Sequence, residues 1–145
     1  MYKIFLLITM LTIGYRNMTK KPVQERQRNN TLTLNTFTKI PDEIDGCGCY
    51  FYLSEKDEKK ERYIFVNDFA SVAFVSVKSK LQRFELKKHK EGSSEYLYSN
   101  GAYQLKVQIT EKKTDGEESS RMKGIIILSK GKSVLHKAFV GSCGC

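Results

Sequence analysis

Four cysteines in two matched doublets constrain this chain more than anything else in it. Gly46-Cys47-Gly48-Cys49 and Ser142-Cys143-Gly144-Cys145 hold all four, almost a hundred residues apart. In extended chain, residues two apart point to the same side. Cys47 and Cys49 therefore share one face of a strand, and Cys143 and Cys145 share one face of another. If the two strands pair antiparallel, one register sets Cys47 opposite Cys145 and Cys49 opposite Cys143, within disulfide range. The same register brings Leu53 beside Phe139. Four cysteines allow three connectivities, so the spacing alone does not choose among them. Gly48 and Gly144 let the backbones approach near the sulfurs.

The rest of the chain from Cys47 onward has a period close to two. Cys47, Cys49, Phe51 and Leu53 face one way, Tyr50 and Tyr52 the other. Tyr63 to Val66, Phe69 to Val77 and Leu81 to Leu86 read as strands, with turns at Asn67-Asp68 and Lys78-Ser79-Lys80. Lys87 to Ser94 reads as a polar loop. Tyr103, Leu105, Val107 and Ile109 alternate with Gln104, Lys106, Gln108 and Thr110, giving a strand with one wet face. Met122 to Leu128 reads as a central strand with no wet face. Gly131 in Ser129-Lys130-Gly131-Lys132 supplies a hairpin, and Ser133 to Val140 is the last full strand. Glu55 to Arg62 mixes four acidic with four basic residues and reads as a solvated turn. No apolar stripe of helical period runs through the chain. The expected fold is all-β: a small antiparallel sandwich or barrel of about seven or eight strands, its terminal strands stapled by disulfides.

Upstream, residues 1–14 have the form of a signal peptide. Lys3 precedes an apolar run from Ile4 to Ile13, which is too short to span a bilayer. Residues 15–46 are polar and read as a flexible linker, with a brief alternation at Leu32, Leu34 and Phe37 that suits an edge strand. Residues 47–145 form the single β domain. Export and an even cysteine count agree with each other. They point to a secreted, periplasmic or cell-envelope protein with no stable membrane span after cleavage. In size, export and cysteine placement the plan resembles small exported bacterial β proteins such as the barrel-shaped periplasmic lysozyme inhibitors. That likeness implies a stapled barrel and assigns no inhibitory residue.

Residues 47–145 hold 18 Lys or Arg against 12 Asp or Glu. The densest positive run is Lys78, Lys80, Arg83, Lys87, Lys88 and Lys90, the candidate surface for a protein or an anionic envelope polymer. His89 lies in that run, and His136 lies mid-strand. Neither stands in a sequence context that marks a general base. The chain has no phosphate-binding glycine loop, H-E-x-x-H or EF-hand loop, so no catalytic residue, metal ligand or cofactor is assigned. The expected function is a small exported, non-catalytic binding protein. The alternative is a thiol-dependent metal-binding or redox protein that uses both C-G-C doublets. Four thiolates suffice for zinc or copper(I), although the spacing is C-x-C rather than C-x-x-C.

Overall fold

The computed structural model describes residues 31–69 and 71–145. The expected signal peptide, and the linker as far as residue 30, lie outside the described residues.

Among the described residues nine antiparallel strands follow in chain order: β1 (Leu34–Asn35), β2 (Gly48–Tyr52), β3 (Tyr63–Asn67), β4 (Val72–Val77), β5 (Lys80–His89), β6 (Glu95–Ser99), β7 (Gln104–Thr114), β8 (Ser119–Lys130) and β9 (Ser133–Gly144). From β2 to β9 every strand pairs with the next, and β2 also pairs with β9. The result is a closed up-and-down barrel of eight strands with β1 added. Closure gives each barrel strand two neighbours, although β5, β7 and β9 each run beyond at least one of them, and this is how a small β domain limits open edges.

The closing seam is the pairing of first and last barrel strands. Cys49 lies opposite Cys143, and Tyr52 opposite Val140. Disulfides join Cys47 to Cys145 and Cys49 to Cys143, across sequence separations of 98 and 94 residues. The register expected from the doublets is the one observed. The glycines serve a different contact from the expected one. A Cβ on Gly48 would stand 1.9 Å from the carbonyl oxygen of Asn67 in β3, so the crowding comes from the neighbouring backbone rather than from sulfur. Farther along the seam, Gly141 lies opposite Phe51, whose ring stacks on Phe139 at 4.0 Å and on Phe65 at 5.2 Å. This aromatic stack, with Phe84, Leu105, Ile126 and Leu128, fills the barrel interior.

The linker reading changes over residues 31–46. Leu32 and Leu34 are buried with the barrel core, and Ile44, with Phe37 and Ile40, packs in a second cluster against Tyr52, Tyr63, Val66, Val72 and Phe74. That segment covers the outer face of β2, β3 and β4. Every residue of β3 and β4 is buried in consequence. The apolar residues responsible are widely spaced in polar sequence, so no periodicity reveals them. β1 pairs with the end of β4 and is followed by a bridge from Phe37 to Tyr63. It also completes the β4–β5 hairpin, whose central residues Lys78 and Ser79 have φ of 49° and 62°. Such a turn favours Asn and Gly. Here Asn35 Oδ1 accepts from the Ser79 N–H, and the Lys78 N–H donates to the carbonyl of Thr33.

Three further expectations shift. β5 runs through Lys87 and Lys88 to His89, so the polar loop shrinks to the turn before β6. β6 itself was missed, although Tyr96 and Tyr98 alternate with Leu97. β8 alternates after all: Ile126 and Leu128 are buried, whereas Ile125 and Ile127 lie half-exposed on the outer face. The charged stretch after β2 holds one helical turn, α1 (Glu55–Glu58), capped by the Ser54 side chain accepting from the Asp57 N–H. Among the described residues, no helix is long and apolar enough to cross a membrane.

Candidate functional site in the mouth of the barrel

The aromatic stack stops short of the disulfide end of the barrel. There a cavity of about 250 Å³ opens between β2, β3, β6, β7, β8 and β9. An eight-stranded barrel is wide enough to be filled by side chains or to hold one small ligand; here side chains fill one level and leave a cavity at the other. The walls are Phe51, Phe65, Tyr96, Val107, Ile109 and Met122, with the Cys49–Cys143 bridge on one side.

Lys112 reaches this cavity through a β-bulge. Up to Ile109, the odd residues of β7 face inward. The register then shifts between Ile109 and Glu111, so that Lys112 comes to lie opposite the inward residue Met122. One extra residue thus swaps the faces of the strand. Lys112 and Glu118 give the lining one charge of each sign.

Phe69 lines the same cavity from the β3–β4 loop. It is 47% exposed and has φ of 66°. A bulky side chain in left-handed backbone costs of order 1 kcal/mol and persists only where its surroundings enforce it. The enforcement comes from Asn67, whose Oδ1 accepts from the Phe69 N–H, and from Asp68, whose Oδ1 accepts from the N–H groups of Ser71 and Val72.

Asn67 and Tyr98 form the polar part of the wall, with exposures of 6% and 5%. Asn67 Oδ1 also accepts from the Cys49 N–H at 2.8 Å. Two backbone donors on one atom identify it as the oxygen and fix the amide orientation. Nδ2 therefore points to the Tyr98 hydroxyl, 3.2 Å away, and donates to it. Burial pushes the Tyr98 phenol up to about 12, against the smaller opposing effect of Asn67. The hydroxyl keeps its proton at neutral pH.

The basic run has a different fate. Arg83 pairs with Glu43 and Glu85, and Lys87 pairs with Glu85. Lys78 occupies the hairpin turn, so it does not join Lys80 through strand alternation. A shift in the β5–β6 register between Leu86 and Lys88 interrupts the alternation again, and Lys90 follows the strand. The six residues do not form one uniform positive face. His89 stacks on Tyr96 with ring centroids 4.0 Å apart, and its Nδ1 lies 3.0 Å from the carbonyl of Glu95. His136 is exposed on β9, opposite Ile127, where β9 has run past the end of β2. Neither histidine is among the cavity's lining residues.

The four cysteines are divided between two bridges. Both join one doublet to the other, with none inside a doublet. A sulfur bonded to sulfur offers no thiolate to a metal. The bridges fit a non-reducing, extracytoplasmic environment.

Sequence reasoning singled out the cysteines but not the convergence of Cys49 and Cys143 with Tyr96 and Tyr98 on a cavity. Asn67 read as a turn, and Lys112 and Met122 carried no mark. The signal for Tyr98 was present in the alternation of β6. Comparison with known protein families, with curated proteins and with solved structures finds no match.

Proposed function

We propose that this chain is an exported, non-catalytic binding protein, secreted or held in the periplasm or cell envelope, whose site is the barrel mouth. The observation that carries the reading is the unfilled cavity of about 250 Å³, walled by apolar side chains and overhung by a half-exposed phenylalanine in strained backbone. Small-molecule sites are concave, mostly apolar and supplied with a few placed polar groups. The cavity is concave, joins apolar side chains to about as much polar surface, and falls just below the size range of drug-sized sites. Its ligand is correspondingly small. The surface of β5 is a weaker candidate, because two of its cations already face carboxylates.

Titration of the oxidised protein with naphthalene by calorimetry tests this. Saturable one-to-one binding is expected, and Met122→Trp, which places a larger ring in the cavity, abolishes it. Absence of saturable binding refutes the reading. Salt-sensitive binding of a polyanion that survives Met122→Trp moves the site to β5.

A further inference from the structure

Resting on the cavity reading, the geometry points to a ligand class: we infer that the barrel mouth takes a neutral, apolar molecule of about two fused rings carrying one hydrogen-bond-accepting oxygen, which the Tyr98 hydroxyl receives.

Size comes first. A dry apolar cavity of about 150 Å³ holds one benzene ring. The volume of about 250 Å³ here suits a fused bicyclic molecule rather than a single ring or a long chain. The aromatic walls, Phe51, Phe65 and Tyr96 among them, favour planar rings.

Polarity comes second. Tyr98 has one proton to donate, and its oxygen already accepts from Asn67 Nδ2. Among the described residues, the hydroxyl donates to no acceptor. The amide cannot rotate to supply one, because its oxygen is held by the N–H groups of Cys49 and Phe69. The hydroxyl belongs to a residue only 5% exposed that lines the cavity, and its unused proton leaves a hydrogen bond for a ligand to complete. A ligand with an acceptor oxygen completes that bond, and a ligand that can only donate does not.

Charge comes third. Lys112 and Glu118 contribute opposite signs to the lining, so a single charge on the ligand attracted to one is repelled by the other. The pair gives no net preference for an anion or a cation. An ionised group taken deeper, against Phe51 and Val107, is desolvated by apolar side chains.

The test compares 2-acetylnaphthalene with 2-ethylnaphthalene, which have nearly the same shape and differ in the carbonyl oxygen. Calorimetry with the oxidised full chain is expected to show the ketone bound about tenfold more tightly, the effect of one completed hydrogen bond. The infrared carbonyl stretch of the bound ketone is expected to move to lower frequency. In Tyr98→Phe the preference disappears. That variant also leaves Asn67 Nδ2 without its acceptor, so the comparison and the carbonyl shift in the wild-type protein stand by themselves if the variant does not fold. Equal affinities in the wild-type protein, or an unshifted carbonyl, overturn the ligand class and leave the cavity reading standing. A preference that persists in folded Tyr98→Phe overturns the assignment to Tyr98. Failure of both compounds to bind overturns the cavity reading itself.

Discussion

The two disulfides close nearly the same loop, and their contributions to stability are therefore strongly coupled. Cys47–Cys145 spans 98 residues. The chain-entropy relation for a loop of that length gives about 4.7 kcal/mol. Cys49–Cys143 alone, spanning 94, gives almost the same value. Once one bridge is in place, the other closes only the ring of about six residues formed by the two doublets, for which the relation gives about 2 kcal/mol. Removing one bridge by paired Cys→Ala substitution should therefore cost about 2 kcal/mol. Removing both should cost about 7 kcal/mol, some 3 kcal/mol more than the separate losses combined. The inner pair should cost slightly more than the outer, because Cys49 and Cys143 are buried whereas Cys47 and Cys145 are exposed. The assay is urea unfolding of the wild type, each bridge variant and the four-alanine variant, extrapolated to zero denaturant. Sulfate in every sample keeps the weakest variant measurable. If the combined variant loses no more than the sum of its parts, the shared-loop argument is wrong, and each bridge acts through local contacts.

Three other perturbations follow from the packing. Gly141→Ala sets a Cβ 2.1 Å from the Tyr50 carbonyl oxygen and 2.8 Å from Phe51 Cδ1, so the seam must shift; a loss of about 3 kcal/mol is expected in chemical denaturation, and a neutral result would mean the seam yields freely. Leu34→Ala should cost about 3 kcal/mol although the residue lies in the segment expected to be linker; a loss under about 0.5 kcal/mol would return residues 31–46 to that status. Arg121 holds the Glu58 carboxyl below its ordinary value of 4.5 by hydrogen bonds, one of them 2.9 Å long. Because the folded value is the lower one, the stabilisation is complete above the unfolded value and is lost as pH falls through the folded value. Arg121→Met should cost about 1 kcal/mol at neutral pH, kept small by partial exposure, with the deficit closing in acid; a pH-independent deficit would assign the loss to packing alone.

Much of the architecture was legible because β structure writes its pairing into a period of two. Cys49 and Phe51 face inward together and Tyr50 and Tyr52 outward together, as alternation requires. The doublets add a register, since two same-face cysteines at each end have one arrangement in which both find partners directly opposite. The strand limits were less legible. β5 continues through Lys87, Lys88 and His89 because β6 is there to pair with it, and β6 was overlooked because a five-residue strand of two tyrosines and one leucine gives a short signal. The apolar runs of β3 and β4 did not reveal that residues 37–44 provide the cover of their outer faces.

The sequence by itself determined an all-β chain with cysteine doublets placed to staple its ends, and, in β2 and in β7 as far as Ile109, the side on which the large apolar residues lie. Only the tertiary structure decided that these faces enclose a barrel, and that one end stays unfilled. The cavity draws Asn67 from β3, Phe69 from a loop, Tyr98 from β6, Lys112 from β7 and Met122 from β8. Alternation states which way a side chain points but not what stands opposite it. A single bulged residue in β7 reverses even that, and brings Lys112 to the inside. The orientation of the Asn67 amide, which makes the Tyr98 hydroxyl an acceptor and leaves its proton undonated among the described residues, depends on backbone N–H groups from two different elements. Those groups meet only when the barrel closes.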